Sequence, residues 1–170
     1  MRAKRIILIL VVILVAIQLY RPTKTNPTVD ATKTLQANTQ MPPDVAQAIG
    51  HSCRDCHTYN TVWPKYSYVA PVSWVVIDDV NQGRQHVNFS DWGTYSVQRQ
   101  LGKLEDICTE VKDGGMPLRQ YTWMHPGTAL SQPQREALCA WTTAEQQRIT
   151  ARTGVTALPS KKGGMQAEKK

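Results

Sequence analysis

Cys53-Arg54-Asp55-Cys56-His57 is the segment of this 170-residue sequence that says most about its structure. Two thiols separated by two residues can add to the two vinyl groups on one edge of a porphyrin. A histidine directly after the second cysteine then lies beneath the iron. The segment therefore predicts one haem, attached covalently through Cys53 and Cys56, with His57 as an iron ligand.

Three other kinds of site use closely spaced cysteines. A thioredoxin-type redox pair lies at a strand-to-helix turn, and the sequence around Cys53 lacks alternating strands and helices. A zinc site needs four ligands, usually as two close pairs, whereas Cys108 and Cys139 are isolated. A structural disulfide between Cys53 and Cys56 would be strained. The haem site is therefore the favoured interpretation.

Met116 is the first candidate for the second axial ligand of the iron. It follows Gly114-Gly115 and precedes Pro117, which predicts a rigid, non-helical turn beyond a long helix. A thioether in such a turn can reach the iron on the face opposite His57. A soft sulfur donor favours ferrous iron and raises the reduction potential.

Other interpretations of the second axial position stay open. His125 is the next candidate because it also lies in a loop, before Pro126. His86 and Met41 follow it. Met116 is otherwise an apolar loop residue that touches only the haem edge.

Hydrophobic periodicity between the two chain ends predicts helices and almost no strands. Helix starts are expected at Pro43, Pro71, Ser90 and Ser131, since these residue types begin helices. The expected apolar faces are Val45, Ala48 and Ile49; Val72, Val75, Val76 and Val80; Val97, Leu101, Leu104, Cys108 and Val111; and Ala137, Leu138 and Trp141. The two glycines before Met116 should end the third helix. The predicted fold class is all-α.

The two ends of the chain differ in composition from its middle. Residues 1–20 combine basic residues with an apolar run at 6–20, which predicts an uncleaved transmembrane signal-anchor helix. The run is short for a bilayer, and snorkelling of flanking basic side chains is expected to cover the shortfall. Residues 21–42 predict a flexible tether and residues 150–170 a disordered basic tail. Residues 43–149 are then the c-type haem-binding domain.

The net charge of +7 comes from the chain ends. Residues 44–149 hold nine basic and eleven acidic side chains, so the predicted domain is slightly acidic. A nucleic-acid-binding domain instead concentrates its basic residues on the folded face that contacts phosphates. The charge distribution therefore excludes nucleic acid as a partner.

Cys108 and Cys139 both lie on apolar faces of predicted helices, 31 residues apart. An oxidising compartment allows them to form a disulfide. As small hydrophobic core residues they need no such bond. Both interpretations stay open on sequence alone.

Several short motifs accompany the cysteine segment. In chain order they are Thr61-Val62-Trp63-Pro64, Tyr66-Ser67-Tyr68-Val69-Ala70-Pro71-Val72-Ser73-Trp74, Asn88-Phe89-Ser90-Asp91-Trp92, Met116-Pro117 with Tyr121, and His125-Pro126. With these motifs the chain resembles the bacterial haem-binding domain family of single-haem, cytochrome-c-like proteins, over about residues 42–141. The resemblance implies a cytochrome-c-like fold around one covalent haem, with Met116 as the distal ligand, and no substrate or enzymatic activity. Lys65 stands where the family often has an aromatic residue, which affects the expected packing near the haem mouth.

Trp63, Tyr66, Tyr68 and Trp74 follow the haem motif closely. Their apolar rings with polar groups suit the wall of a haem pocket and hydrogen bonds to the propionates. Packing between helices is the other interpretation. Arg84 is similarly either a partner of a propionate or a solvated side chain.

Ligation of the iron by His57 and Met116 leaves no position open for substrate. The chain is therefore expected to be a membrane-anchored, periplasmic monohaem c-type cytochrome that transfers single electrons and is not an enzyme. Its expected location is the inner (cytoplasmic) membrane, single-pass, with the haem domain facing the periplasm. Its partners are expected to be redox proteins there, brought close by the tether. The alternative is a haem-based gas sensor or peroxidase-like protein with an open or displaceable sixth ligand.

Overall fold

The computed structural model describes residues 2–157 of the chain. These residues form eight α-helices, three short 3-10 turns and no β-strand. The helices are α1 (Arg2–Ile17), α2 (Leu35–Asn38), α3 (Pro43–Ser52), α4 (Arg54–His57), α5 (Val72–His86), α6 (Val97–Asp113), α7 (Arg119–Met124) and α8 (Gln132–Thr153). The 3-10 turns are Ala31–Lys33, Lys65–Tyr68 and Trp92–Thr94. The all-helical content is as predicted, and a cytochrome-c-like arrangement around a haem stays a prediction.

Helix α1 overturns the predicted transmembrane signal-anchor. It ends at Ile17 after 16 residues, about 24 Å of helix against a hydrocarbon core of about 30 Å. After Ile17 the backbone N–H groups of Gln18 and Leu19 bond to the carbonyl groups three residues earlier, and the amide of Gln18 exchanges two hydrogen bonds with the backbone of Ala70. Among residues 2–157, no helix is both long and apolar enough to cross a bilayer. The transmembrane part of the fold prediction is therefore wrong.

The chain divides into two compact units. The first unit consists of the residues up to Ala31 together with Arg54–Ser90. The second consists of Thr32–Cys53 together with the chain from Asp91 onwards. The division runs through residues 43–149, which the sequence predicts to be one domain.

Residues 21–42, for which the sequence predicts a flexible tether, make hydrogen bonds and buried contacts within their units. In the first unit, Lys24 and Asn26 donate hydrogen bonds to backbone carbonyl groups at 3.0 and 2.8 Å. In the second unit, Leu35 of helix α2 is completely buried. The polar side chains of Lys24 and Asn26 bind backbone groups of their own unit. Composition alone does not tell whether a polar side chain binds backbone groups or water.

Helix α5 begins directly after Pro71, as predicted. Its buried residues are Ser73, Ile77, Val80 and Gly83. Val72 and Val75, predicted to face inward, are 46% and 54% exposed. The buried face differs from the predicted one because it includes the small residues Ser73 and Gly83, which do not contribute to a hydrophobic pattern.

Helices α6 and α8 pack against each other in the second unit. The buried residues on their facing sides include Leu101, Leu104 and Val111 of α6 and Leu138, Trp141 and Ile149 of α8. Burial of such side chains stabilises by about 1.5–3 kcal/mol each. Five of these six residues belong to the faces predicted from sequence.

Capping residues set the ends of these two helices. Ser96, not the predicted Ser90, is the N-cap of α6 and accepts a hydrogen bond from the Arg99 N–H. The Ser90 hydroxyl accepts a hydrogen bond from a distant backbone N–H, and the 3-10 turn Trp92–Thr94 separates Ser90 from the start of α6. Gly114 ends α6 in the left-handed conformation with φ of 75°, and Ser131 starts α8 with a capping box. Both of these ends were predicted.

Side chains of α8 fasten the backbone of residues 38–40. The Trp141 indole donates to the Gln40 carbonyl at 3.0 Å. The Gln40 N–H donates to the Glu145 carboxylate at 3.3 Å. Arg148 pairs with Glu145 and also donates to the Asn38 carbonyl at 3.2 Å. The carboxylate of Glu145, which is 2% exposed, is thus surrounded by donors.

Cys108 and Cys139 form a disulfide that joins α6 to α8. Of the two interpretations left open by the sequence, the disulfide is the correct one. Bonds of this kind persist in oxidising compartments.

The tail predicted for residues 150–170 lies partly outside the described residues. Helix α8 continues to Thr153 and ends at Gly154, which is left-handed with φ of 71°. The prediction for positions 158–170 lies outside the part of the chain that the structure describes.

Candidate functional site

The segment Cys53–His57 joins the end of one helix to a single turn of another. Cys53 is the C-cap of α3 and donates its backbone N–H to the Ile49 carbonyl at 3.0 Å. Cys56 and His57 lie in the four-residue helix α4. Both cysteines carry thiols, since the disulfide uses the other two cysteines of the chain. Cys53 belongs to the second unit, and Cys56 and His57 belong to the first.

Two backbone carbonyl groups determine the tautomer of His57. Its Nδ1 lies 3.0 Å from the Gly83 oxygen and 3.0 Å from the Val87 oxygen. Carbonyl oxygens only accept, so Nδ1 carries the proton and Nε2 keeps its lone pair. A metal-binding histidine usually has this arrangement, in which the second nitrogen is fixed by a backbone carbonyl group.

Burial keeps the imidazole of His57 in its neutral form. The pKa of His57 is lowered chiefly by burial, and the hydrogen bonds to Val87 and Gly83 oppose this shift only in part. The ring also lies 5.6 Å from that of Phe89, whose N–H donates to the His57 carbonyl at 2.7 Å. A neutral, oriented imidazole is the form that coordinates iron.

Electrostatics at Cys56 disfavour a redox-active cysteine pair. Burial, followed by the negative charges of Asp79 and Asp55, raises the pKa of the Cys56 thiol to about 12. Redox-active cysteines act as thiolates, which a lowered pKa favours. A neutral thiol whose S–H adds across a vinyl group has no such requirement. The environment of Cys56 therefore fits covalent attachment of haem better than a redox-active cysteine pair.

Gly83 allows helix α5 to approach the haem motif closely. A Cβ atom placed at Gly83 would lie 2.6 Å from the Cys56 oxygen and 3.1 Å from its carbonyl carbon. Real Cβ atoms do not come this close to backbone atoms. The same residue therefore supplies both an acceptor for His57 and the space for Cys56.

Gly83→Ala should destabilise the protein by about 1–3 kcal/mol, because the added methyl group displaces the backbone of Cys56. Thermal unfolding of the full chain, with haem content measured alongside, checks this. Gly102→Ala is the matched control, since Gly102 lies within helix α6 and, apart from its chain neighbours and the backbone of its own helix, no atom lies within 4 Å of the added Cβ. That change should stabilise by about 0.5–1 kcal/mol through helix propensity. Equal effects of the two substitutions would contradict a close contact at Gly83.

The aromatic residues predicted to wall the haem all lie in the first unit. The Trp74 indole donates to the Tyr20 carbonyl at 3.0 Å. The ammonium group of Lys24 lies over the rings of Trp63 and Tyr68. Burial raises the pKa of Tyr66. These contacts give Trp74, Trp63 and Tyr68 roles within the first unit, and their contact with haem stays a prediction.

Met116 and His125, the two main candidates for the second axial position, lie in the second unit. The Met116 N–H donates to the Glu110 carbonyl at 3.1 Å, just after the end of α6. His125 follows α7, with Nδ1 3.0 Å from the Tyr121 oxygen and the two rings 4.3 Å apart. Each residue therefore lies at the end of a helix, and ligation by either one stays a prediction.

Among residues 2–157, no cluster of three or more histidine, cysteine or acidic side chains is placed to hold a metal ion.

The sequence profile of the haem-binding domain family matches residues 12–144. The chain belongs to this family. No curated protein and no solved structure matches this haem-binding domain protein. Membership establishes it as a haem-binding protein and agrees with the family resemblance noted from its motifs.

Gly83 and Val87 are site residues that the sequence analysis missed. They act through backbone carbonyl groups, which every residue type carries, so no side-chain pattern marks them. Only Gly83 could have been suspected from the sequence. A glycine inside a helix destabilises it by about 1 kcal/mol relative to alanine, so its presence there points to close packing against a neighbour.

Proposed function

We propose that this haem-binding protein carries one haem c, joined by thioether bonds to Cys53 and Cys56, and transfers single electrons. His57 and Met116 are the proposed axial ligands of the iron. The observation that supports this most directly is the pair of hydrogen bonds from His57 Nδ1 to the carbonyl groups of Gly83 and Val87. They leave Nε2 as the atom for iron.

The roles of the protein groups follow from this geometry. Bound haem supplies one-electron chemistry at its iron. Cys53 and Cys56 retain it covalently. His57 presents Nε2 in a fixed orientation, and its hydrogen bonds increase the basicity of the ligand. Met116 would supply a thioether as the second protein ligand of the iron, which would leave no position open for substrate and suit an electron carrier rather than an enzyme.

An oxidising compartment on the outer side of the cytoplasmic membrane, such as the periplasm, is the proposed location. The disulfide between Cys108 and Cys139 supports it, because cytosolic reductants keep such thiols reduced. The proposed partners are redox proteins of the same compartment.

Absorption spectra of the oxidised and reduced haem-loaded protein test the ligand set. The wild-type protein should be low-spin, with a weak near-infrared band from sulfur bound to ferric iron. Met116→Ala should abolish that band and convert the ferric protein largely to high spin. His125→Ala is the matched control and should leave the spectrum unchanged. A high-spin wild-type protein that binds carbon monoxide readily would contradict electron transfer and favour the gas sensor or peroxidase-like alternative.

A further inference from the structure

Residues 18–26 run along the first unit as a strap. Their side chains and backbone make hydrogen bonds at several separate points. These join Gln18 to Ala70, Tyr20 to Trp74, Lys24 to Ser67 and Asn26 to Thr61. A segment held at so many points has a defined conformation, so changes in it can reach the rest of the unit.

The guanidinium group of Arg84 connects the strap to the loop that follows the haem motif. It donates to the Thr25 carbonyl at 2.7 Å and to Asn26 Oδ1 at 3.0 Å, both in the strap. It also donates to the Thr58 carbonyl at 2.9 Å and to Thr61 Oγ1 at 2.9 Å, both in the loop. Four of the five N–H donors of Arg84 are therefore engaged within the first unit, so Arg84 is not simply a solvated side chain.

The loop bound by Arg84 is bonded in turn to the haem motif. Thr61, which is 5% exposed, donates its hydroxyl to the Asp55 carbonyl at 2.6 Å. The Val62 N–H donates to the Asp55 carboxylate at 3.1 Å. Arg84 also directly follows Gly83, the residue whose carbonyl accepts from His57. Helix α5 thus holds the His57 turn in two ways: Arg84 binds the loop that follows the turn, and Gly83 accepts a hydrogen bond from the imidazole.

Arginine suits this position because its planar group offers five donors in a fixed geometry. Lysine keeps the positive charge, but its single nitrogen cannot reach four acceptors that lie on two segments. The four bonds therefore specify arginine rather than a positive charge.

We propose that Arg84 is a positioning residue for His57. It latches the strap onto the loop after the haem motif, and this latch determines how rigidly the imidazole is held. The inference rests on the proposed function, in which His57 binds the iron.

Hydrogen exchange and electron paramagnetic resonance of the haem-loaded full chain test the latch. Arg84→Lys and, separately, Asn26→Ala should each speed exchange of the Phe89 amide, which bonds to the His57 carbonyl. The expected factor is about tenfold, as for loss of a hydrogen bond to a charged group. Both variants should also broaden or shift the ferric low-spin signal, since it depends on the orientation of the axial imidazole. In the double variant the Phe89 amide should exchange no faster than in the faster of the two single variants, because the two substitutions break the same latch.

Arg99→Lys is the matched control. Arg99 lies over the Tyr95 ring in the second unit, and its replacement should leave both measurements unchanged. A wild-type signal and wild-type exchange in Asn26→Ala would overturn the inference even if Arg84→Lys fails to fold. A wild-type chain that retains no haem after denaturation would instead overturn the proposed function. The two failures are therefore distinguishable.

Discussion

Replacing both Cys53 and Cys56 with alanine should abolish covalent retention of haem. In the proposed attachment each thiol forms one thioether bond, so the double variant holds its haem only through the iron and noncovalent contacts. Denaturation should then release all of it. Haem staining on a denaturing gel and the intact mass of the exported protein measure this, and the variant should show the mass of the polypeptide alone.

The single variants and a second cysteine pair serve as controls for this experiment. Cys53→Ala and Cys56→Ala should each keep one thioether and some haem stain. Replacement of Cys108 and Cys139 by serine removes the disulfide and should leave the stain at its wild-type intensity per folded molecule. Stain that persists in the Cys53→Ala/Cys56→Ala protein would show attachment elsewhere and contradict the proposed function.

Arg148→Met should reduce the free energy of unfolding by about 3–5 kcal/mol, the usual cost of leaving one member of a buried ion pair without its partner. The Glu145 side chain is 1% exposed, and Arg148 is its charged partner. Without Arg148, the carboxylate keeps only the Gln40 N–H among these donors. Denaturant-induced unfolding of the full chain, followed by helical circular dichroism, measures the loss.

Arg152→Met is the matched control, because Arg152 lies one turn further along α8 and is exposed. Surface substitutions of this kind usually change stability by less than about 0.5 kcal/mol. If both variants lose the same stability, the pair between Arg148 and Glu145 contributes nothing specific, and the account of residues 38–40 is wrong.

The helices of the second unit were largely predictable from sequence, and the reason is local. Gly114 and Ser131 set helix ends through backbone conformation and side-chain caps, which depend on nearby residues alone. Ser90 failed as a predicted cap because the chain first makes the 3-10 turn Trp92–Thr94, and α6 starts only after Ser96. Both serines are suitable caps by residue type, so residue type alone does not choose between them.

The transmembrane prediction for the N-terminal helix failed for a related reason. Apolar composition suggested a membrane span, but composition does not register how long the helix is or where the chain makes tertiary contacts. Helix α1 ends after 16 residues, and the amide of Gln18 then pairs with the backbone of Ala70. The tether suggested by the polar composition of residues 21–42 stays a prediction.

Haem binding was predictable from the spacing of Cys53, Cys56 and His57, and membership of the haem-binding domain family confirms it. Covalent attachment through that spacing stays a prediction. The residues that orient His57 are 26 and 30 positions away and act through main-chain oxygens. They are recognised only in the structure, where α5 and the residue after it lie against the haem motif.

The bond between Cys108 and Cys139 has a consequence for the second axial position. Met116 and His125 both lie between these two cysteines, so each candidate belongs to a closed covalent ring. The ends of that ring stay together even when α6 and α8 separate. The disulfide thereby lowers the conformational entropy of the unfolded chain, which stabilises the folded protein by about 3–4 kcal/mol. The segment that carries both candidates therefore stays anchored at its two ends within the second unit, even when its own helix α7 unfolds.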